Sequence, residues 1–136
     1  MAFTEIEITA QSNYHHVNNV ELYEYLDDAR LEWYKYSASL GVESVLVHIS
    51  ADFKKEIFHQ DLLRIRTALE VIGNTSYTLK QTVMNQLDEQ VVSAKVVLAT
   101  IDRVKRTKVI VPHEIRELME EPSVINFNLV NTIKNP

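Results

Sequence analysis

The stretch Gln11–Gly41, QSNYHHVNNVELYEYLDDARLEWYKYSASLG, decides how the rest of the chain is read. It opens as a polar, aromatic and His-rich loop and continues as a long helical pattern. Asn18 has Glu21 three residues on, which is an N-cap with its capping-box partner. From about Asn19 to Leu40, the residues Leu22, Leu26, Ala29, Trp33 and Leu40 recur near the helical period. That spacing predicts one amphipathic helix whose apolar stripe faces a core. Gly41 is placed to end it as the C′ residue. Glu21, Glu24, Asp27, Asp28 and Glu32 crowd the other faces, with Arg30 expected to offset part of the like-charge repulsion at i,i+4. The loop carries Ser12, Asn13, Tyr14, His15, His16, Asn18 and Asn19, and the helix aims its N-terminus back at them. Donors beside a helix N-terminus suit a substrate that develops negative charge.

Residues 3–9 alternate Ile6 and Ile8 against Glu5 and Glu7, a short strand with one wet face. After the helix, four extended segments are expected. Residues 45–53 alternate Val47, Ile49, Ala51 and Phe53 against Leu46, His48, Ser50 and Asp52. Residues 61–72 alternate Leu63, Ile65, Thr67, Leu69 and Val71 against Arg64, Arg66 and Glu70, and Gly73-Asn74 forms a turn. Residues 76–86 alternate less cleanly. Residues 91–102 are β-branched and nearly continuous, so this strand is expected to be central. Pro112 at N1 is expected to open a short helix, HEIRELME, and an alternating patch in the tail, VINFNLV, either adds a strand, packs on a neighbour or frays. One helix cannot bury its stripe alone, so the expected architecture is α+β, a curved antiparallel sheet of about five strands wrapped around one long helix.

The 136 residues read as a single domain, with a core over about 3–121 and a C-terminal extension over 122–136. With no cysteine, disulfides, thiolate chemistry and Cys-based zinc sites are excluded. The formal net charge of −5 argues against a broad nucleic-acid surface. Two glycines, Gly41 and Gly73, leave no way to write a Gly-rich phosphate loop. No apolar run approaches the ~20 residues of a membrane span, and the N-terminal MAFTEIEITA has neither a basic n-region nor an apolar h-region. A cytoplasmic protein is the default expectation. His48 and His59 lack metal-ligand spacing with an acidic partner, so no metal and no cofactor are expected.

The order strand, long helix, four strands, together with HVNN (16–19) leading into LYEYLDDARLEWY, resembles the hot-dog fold thioesterases. The likeness is to the branch of 4-hydroxybenzoyl-CoA and long-chain acyl-CoA thioesterases. Tyr25, Asp28, Ala29 and Arg30 match the helix motif of that branch, and Phe53, Lys54, Lys55, Asp61 and Leu63 match the segment that follows the next strand. Glu56 stands where the pattern has proline. The resemblance implies hydrolysis of an acyl-CoA thioester to free acid and CoA, with coenzyme A present only as part of the substrate. It implies that the Asn19 backbone N–H polarises the thioester carbonyl. It implies a site between two subunits of a homodimer, with dimers of dimers in many members.

The pattern also places a carboxylate four residues before His16. Here that residue is Ser12, and no Asp or Glu occurs from Ile8 to Val20. His15 replaces the usual glycine. A serine hydroxyl is no base near neutral pH and needs an adjacent one to act. Ser12, His16 and Asn19 are therefore the candidate catalytic residues, with a Ser12–His16 pair as one arrangement and Asp52 as a possible third member. Tyr14, Asn18, Asp52 and Lys54 are the candidate substrate-binding residues. Each has a plainer reading: Ser12 and His16 as loop-ordering groups, Asn18 as a helix cap, Asp52 on a wet strand face, Lys54 in a solvated turn. The missing carboxylate leaves two functions open, an acyl-CoA thioesterase with an altered loop and a non-catalytic acyl-CoA or acyl-carrier binding module. A dehydratase of the same fold is disfavoured for want of a His-Phe-Pro-like loop and of a suitably placed Glu at the helix start beyond Glu21 and Glu24.

Overall fold

The computed structural model describes residues 2–120, 124, 125 and 127. Five strands form one antiparallel sheet: β1 (Phe3–Thr9), β2 (Glu43–Phe53), β3 (Leu62–Ile72), β4 (Ser76–Met84) and β5 (Gln90–Ile101), in the order β1-β3-β4-β5-β2. The long helix α1 (Asn19–Ser39) packs on one face, so the α+β expectation holds. The near-continuous strand β5 is interior, between β4 and β2, and β4 is the middle strand.

The apolar stripe of α1 divides the core in two. Leu22, Leu26 and Ala29 pack with Leu63, Ile65, Val83 and Val92. Trp33 and Tyr36 pack with Leu69, Tyr77, Leu79, Val96 and Leu98. Each large side chain taken fully out of water contributes roughly 1.5–3 kcal/mol, so this stripe is what holds the helix to the sheet. Between the two clusters lies a polar seam. Arg30 is only 3% exposed. It donates from Nη1 to Gln81 Oε1 (2.9 Å), from Nε to Tyr34 Oη (3.0 Å) and from Nη2 to Asp27 Oδ1 (3.3 Å). Gln81 Nε2 in turn donates to the Leu26 carbonyl (2.9 Å) and Thr67 Oγ1 (3.1 Å). Arg30 is thus a buried, bonded cation that still pairs with one acidic residue of the helix, Asp27, and Gln81 on the inward face explains the imperfect alternation of β4.

Three expectations are corrected. The pairing of β2 shifts register between Leu46 and His48, so Val47 is 55% exposed instead of sharing an inward face with Ile49. A second shift between Leu69 and Val71 turns Val71 outward. One extra residue reverses every later side chain, which alternation alone does not reveal. Pro112 is the N-cap of α2 (His113–Glu117), with ψ 144°, rather than its first helical residue, and a 3₁₀ turn at Leu118–Glu120 follows.

Gly41 ends α1 as expected, at φ +90°, with Gly41 N–H donating to the Ala38 carbonyl and Val42 N–H to the Ser37 carbonyl. Of the tail patch, Val124 forms a single parallel bridge with Phe3, and Phe127 stacks on Tyr36 (4.6 Å between centroids) and meets Trp33 edge-on. The rest of that patch lies outside the described residues. No helix among the described residues is long and apolar enough to cross a membrane.

Candidate functional site

The loop between β1 and α1 follows a path set by the segment that precedes β3. Ala10 N–H donates to the Asp61 carbonyl (2.8 Å), and Gln60 N–H returns a bond to the Ala10 carbonyl (2.6 Å). Val17 N–H donates to the Ile57 carbonyl (2.7 Å), and His16 and Phe58 form an antiparallel bridge. Ser12 N–H donates to His59 Nδ1 (3.1 Å). From the helix side, Tyr25 Oη donates to the Gln11 carbonyl (2.9 Å) and accepts from Gln11 N–H (3.0 Å). The loop is therefore held from both sides by backbone and side-chain bonds.

At its end the capping box is complete. Asn18 Oδ1 accepts from Glu21 N–H (2.9 Å), and Glu21 Oε1 accepts from Asn18 N–H (3.2 Å). The same oxygen of Glu21 also receives the Ser12 hydroxyl (3.0 Å). Ser12 Oγ accepts from Tyr14 N–H (3.1 Å) and lies 3.2 Å from the carbonyl oxygen of His16. Ser12 therefore meets the main chain of His16 and not its imidazole, so the Ser12–His16 side-chain pair is not formed. The contacts explain why: the turn at Ser12–Tyr14 and the bridge from His16 to Phe58 commit both residues to shaping the loop.

The first N–H groups of α1, those of Asn19 and Val20, have no partner among the described residues, and both residues are exposed. Donors of this kind lie where a helix concentrates partial positive charge. A groove of about 360 Å³ reaches this end of the helix at His16, Val17 and Leu22 and is completed by Phe53, Lys54, Lys55, Glu56 and Ile57. Its walls mix apolar surface with two cations. Lys55 is engaged by Glu89, whose carboxyl is held below the usual range by hydrogen bonds from Lys55 and Asn85. Lys54 has no ion pair among the described residues. Tyr14 is 67% exposed at the loop tip, and His15 rests edge-on against Phe58.

The sequence candidates thus separate. Ser12, His16, Asn18 and Asn19 come together at the head of α1, with Tyr14 and Lys54 at the margins. Asp52 does not join them: it lines a polar depression on the sheet with Ser50, Glu70, Lys80, Ser93 and Lys95. Three participants were not named as site residues from sequence: Glu21, His59 and Tyr25. For Glu21 the signal was present, since the capping box already ties it to Asn18 beside the loop. Tyr25 was marked by its match to the helix motif though not by its bond to Gln11, and for His59 there was no signal, because its partner Ser12 lies 47 residues away.

Residues 7–119 match the model of the thioesterase-like superfamily. The chain belongs to that superfamily. Within it, the chain is 28% identical over 115 residues to the long-chain acyl-CoA thioesterase FadM of Escherichia coli strain K12, covering 79% of this chain and 87% of that one. Among solved structures it is similar to a predicted thioesterase from Bacillus stearothermophilus, with TM-score 0.78, 18% identity, and coverage of 91% and 99% of the two chains. It is also similar to a 4-hydroxybenzoyl-CoA thioesterase mutant complexed with 4-hydroxybenzoyl-CoA, with TM-score 0.74, 15% identity, and coverage of 85% and 97%. These structures share the hot-dog fold, and superfamily membership gives the class of chemistry as thioester hydrolysis.

Proposed function

We propose that this thioesterase-superfamily protein hydrolyses an acyl-CoA thioester to the free acid and CoA. The observation that carries the reading is the open pair of N–H groups at Asn19 and Val20 beside the groove of His16, Leu22 and Lys54. Attack on a thioester carbonyl moves negative charge onto its oxygen. A fixed N–H donor aimed at that oxygen favours the transition state over the ground state. Asn19 N–H supplies that donor, Asn18 fixes the helix start, and Ser12 orders the loop. Leu22, Ile57 and Phe53 offer apolar surface to the acyl or pantetheine portion. Lys54 meets the phosphates, His16 and Tyr14 bound the entrance, and no cofactor beyond the substrate's own CoA is required.

The working unit is inferred to be a homodimer or a dimer of dimers. Among the described residues strand β2 is an edge of the sheet, and it exposes Leu46, Val47 and Phe53. An exposed apolar edge invites pairing with another strand. Phe53 sits on that edge and also lines the groove, so a second copy docked there walls the groove.

A panel of aliphatic and aromatic acyl-CoAs, followed by release of free thiol, tests the reading. Saturable thiol release with at least one ester is expected. Saturable binding without release would leave a binding module on the same scaffold, and failure to bind any CoA ester would remove both.

A further inference from the structure

We propose that Glu21 is the general base of the site, taking the place of the carboxylate absent from the loop. The inference rests on the thioesterase reading above. Several groups crowd the head of α1, but most are committed. Ser12 Oγ donates one proton and accepts the Tyr14 N–H. His59 Nδ1 is occupied by the Ser12 N–H. Asp61 accepts from Phe58 N–H and Gln86 Nε2, which ties it to its own turn. The His16 imidazole has no hydrogen-bond partner among the described residues, so nothing orients it as a base must be oriented.

Glu21 differs from all of these in how its two oxygens are used. Oε1 is anchored twice, by the Ser12 hydroxyl and by Asn18 N–H. Oε2 has no partner among the described residues, and it is not among the side-chain oxygens that are sealed from solvent without one. One oxygen fixes the carboxylate while the other stays open to water. The Glu21 carboxylate reaches back to within 3.2 Å of Asn18 N, the residue just before the Asn19 N–H, and Glu21 lies between Asn19 and Leu22 in the chain, of which Leu22 lines the groove and Glu21 itself does not. A capping box needs only Oε1; the Ser12 bond to that oxygen adds rigidity that capping does not require.

The step balances with water alone. As water oxygen bonds to the thioester carbon, Glu21 Oε2 takes one water proton and the carbonyl oxygen becomes an oxyanion at the Asn19 N–H. Collapse re-forms the carbonyl and breaks the C–S bond. The protonated Glu21 then returns its proton to the departing sulfur, leaving the free acid, the CoA thiol and the starting carboxylate.

The test compares wild type, Glu21→Gln, and Glu21→Gln combined with Ser12→Asp, using whichever acyl-CoA the wild type hydrolyses. Gln keeps an acceptor oxygen for Asn18 N–H and the Ser12 hydroxyl, so the helix start survives. A base contributes about 10²–10⁴-fold; kcat is expected to fall by that factor in Glu21→Gln, with KM and melting temperature unchanged. Asp at position 12 places a carboxylate beside the same spot, and at least about tenfold recovery over Glu21→Gln is expected. Near-wild-type kcat in Glu21→Gln overturns the role of Glu21 while leaving the thioesterase reading intact. A loss that tracks a lowered melting temperature, with no recovery from Ser12→Asp, also overturns it. Absence of hydrolysis by the wild type removes both readings together.

Discussion

Tyr77 shows how much a single buried hydroxyl can couple the fold to solution conditions. It is 1% exposed, and its Oη lies 2.6 Å from Ser44 Oγ. Burial pushes its phenol up to about 12, against which the Ser44 hydrogen bond acts only partly. In the unfolded chain a tyrosine ionises near pH ~10. The folded form therefore binds the proton more tightly. The stability from this group is full below pH ~10 and is lost as pH rises toward about 12. Urea unfolding between pH 8 and 12 is expected to show this loss, and Tyr77→Phe is expected to flatten it. An equal decline in both proteins would mean that other groups govern the alkaline limb. Glu43 is shifted the opposite way for the opposite reason. Two hydrogen bonds from Arg106, at 3.0 and 3.1 Å, hold its carboxyl below the usual range, but on the exposed surface. That pair contributes little to stability.

Among the elements, α1 is the one whose limits depend most on single residues. Asn18 and Glu21 begin it, and Gly41 ends it in a left-handed conformation. A Cβ on Gly41 would meet nothing within 4 Å among the described residues, so the position needs glycine for its backbone conformation. Gly41→Ala is expected to cost roughly 1–2 kcal/mol, read as a lower urea midpoint with an unchanged slope. No change in midpoint would show that the turn relaxes to another conformation. The strands and α1 were legible because each depends on local period: the predicted and observed limits of the five strands and α1 differ by no more than two residues. What local period does not carry was missed. The bulges in β2 and β3 insert one residue without disturbing composition. Arg30 looked like a surface charge because its partner Gln81 is 51 residues away. The Ser12–Glu21 contact depends on a loop path fixed by residues 57–61, which no spacing within the loop reveals.

At the scale of the molecule, the fold and the class of chemistry follow from element order and the HVNN-to-AR segment, while the chemistry of the site depends on tertiary contacts. The sheet supports α1 through two apolar clusters separated by the Arg30–Gln81–Thr67 seam. That support fixes the direction of the helix and hence the direction of its first N–H groups. In the proposed mechanism the Asn19 N–H stabilises the oxyanion. Asn19→Pro, read against Asn19→Ala to account for the lost side-chain amide, tests this most directly, since proline is well tolerated at the first helical position and removes this backbone donor. Asn18 already has the extended backbone (φ −87°, ψ 174°) that a following proline requires. With the acyl-CoA the wild type prefers, kcat is expected to fall about 10²–10³-fold at unchanged melting temperature. An Asn19→Pro protein that keeps its fold and hydrolyses that ester at the wild-type rate would contradict the claim.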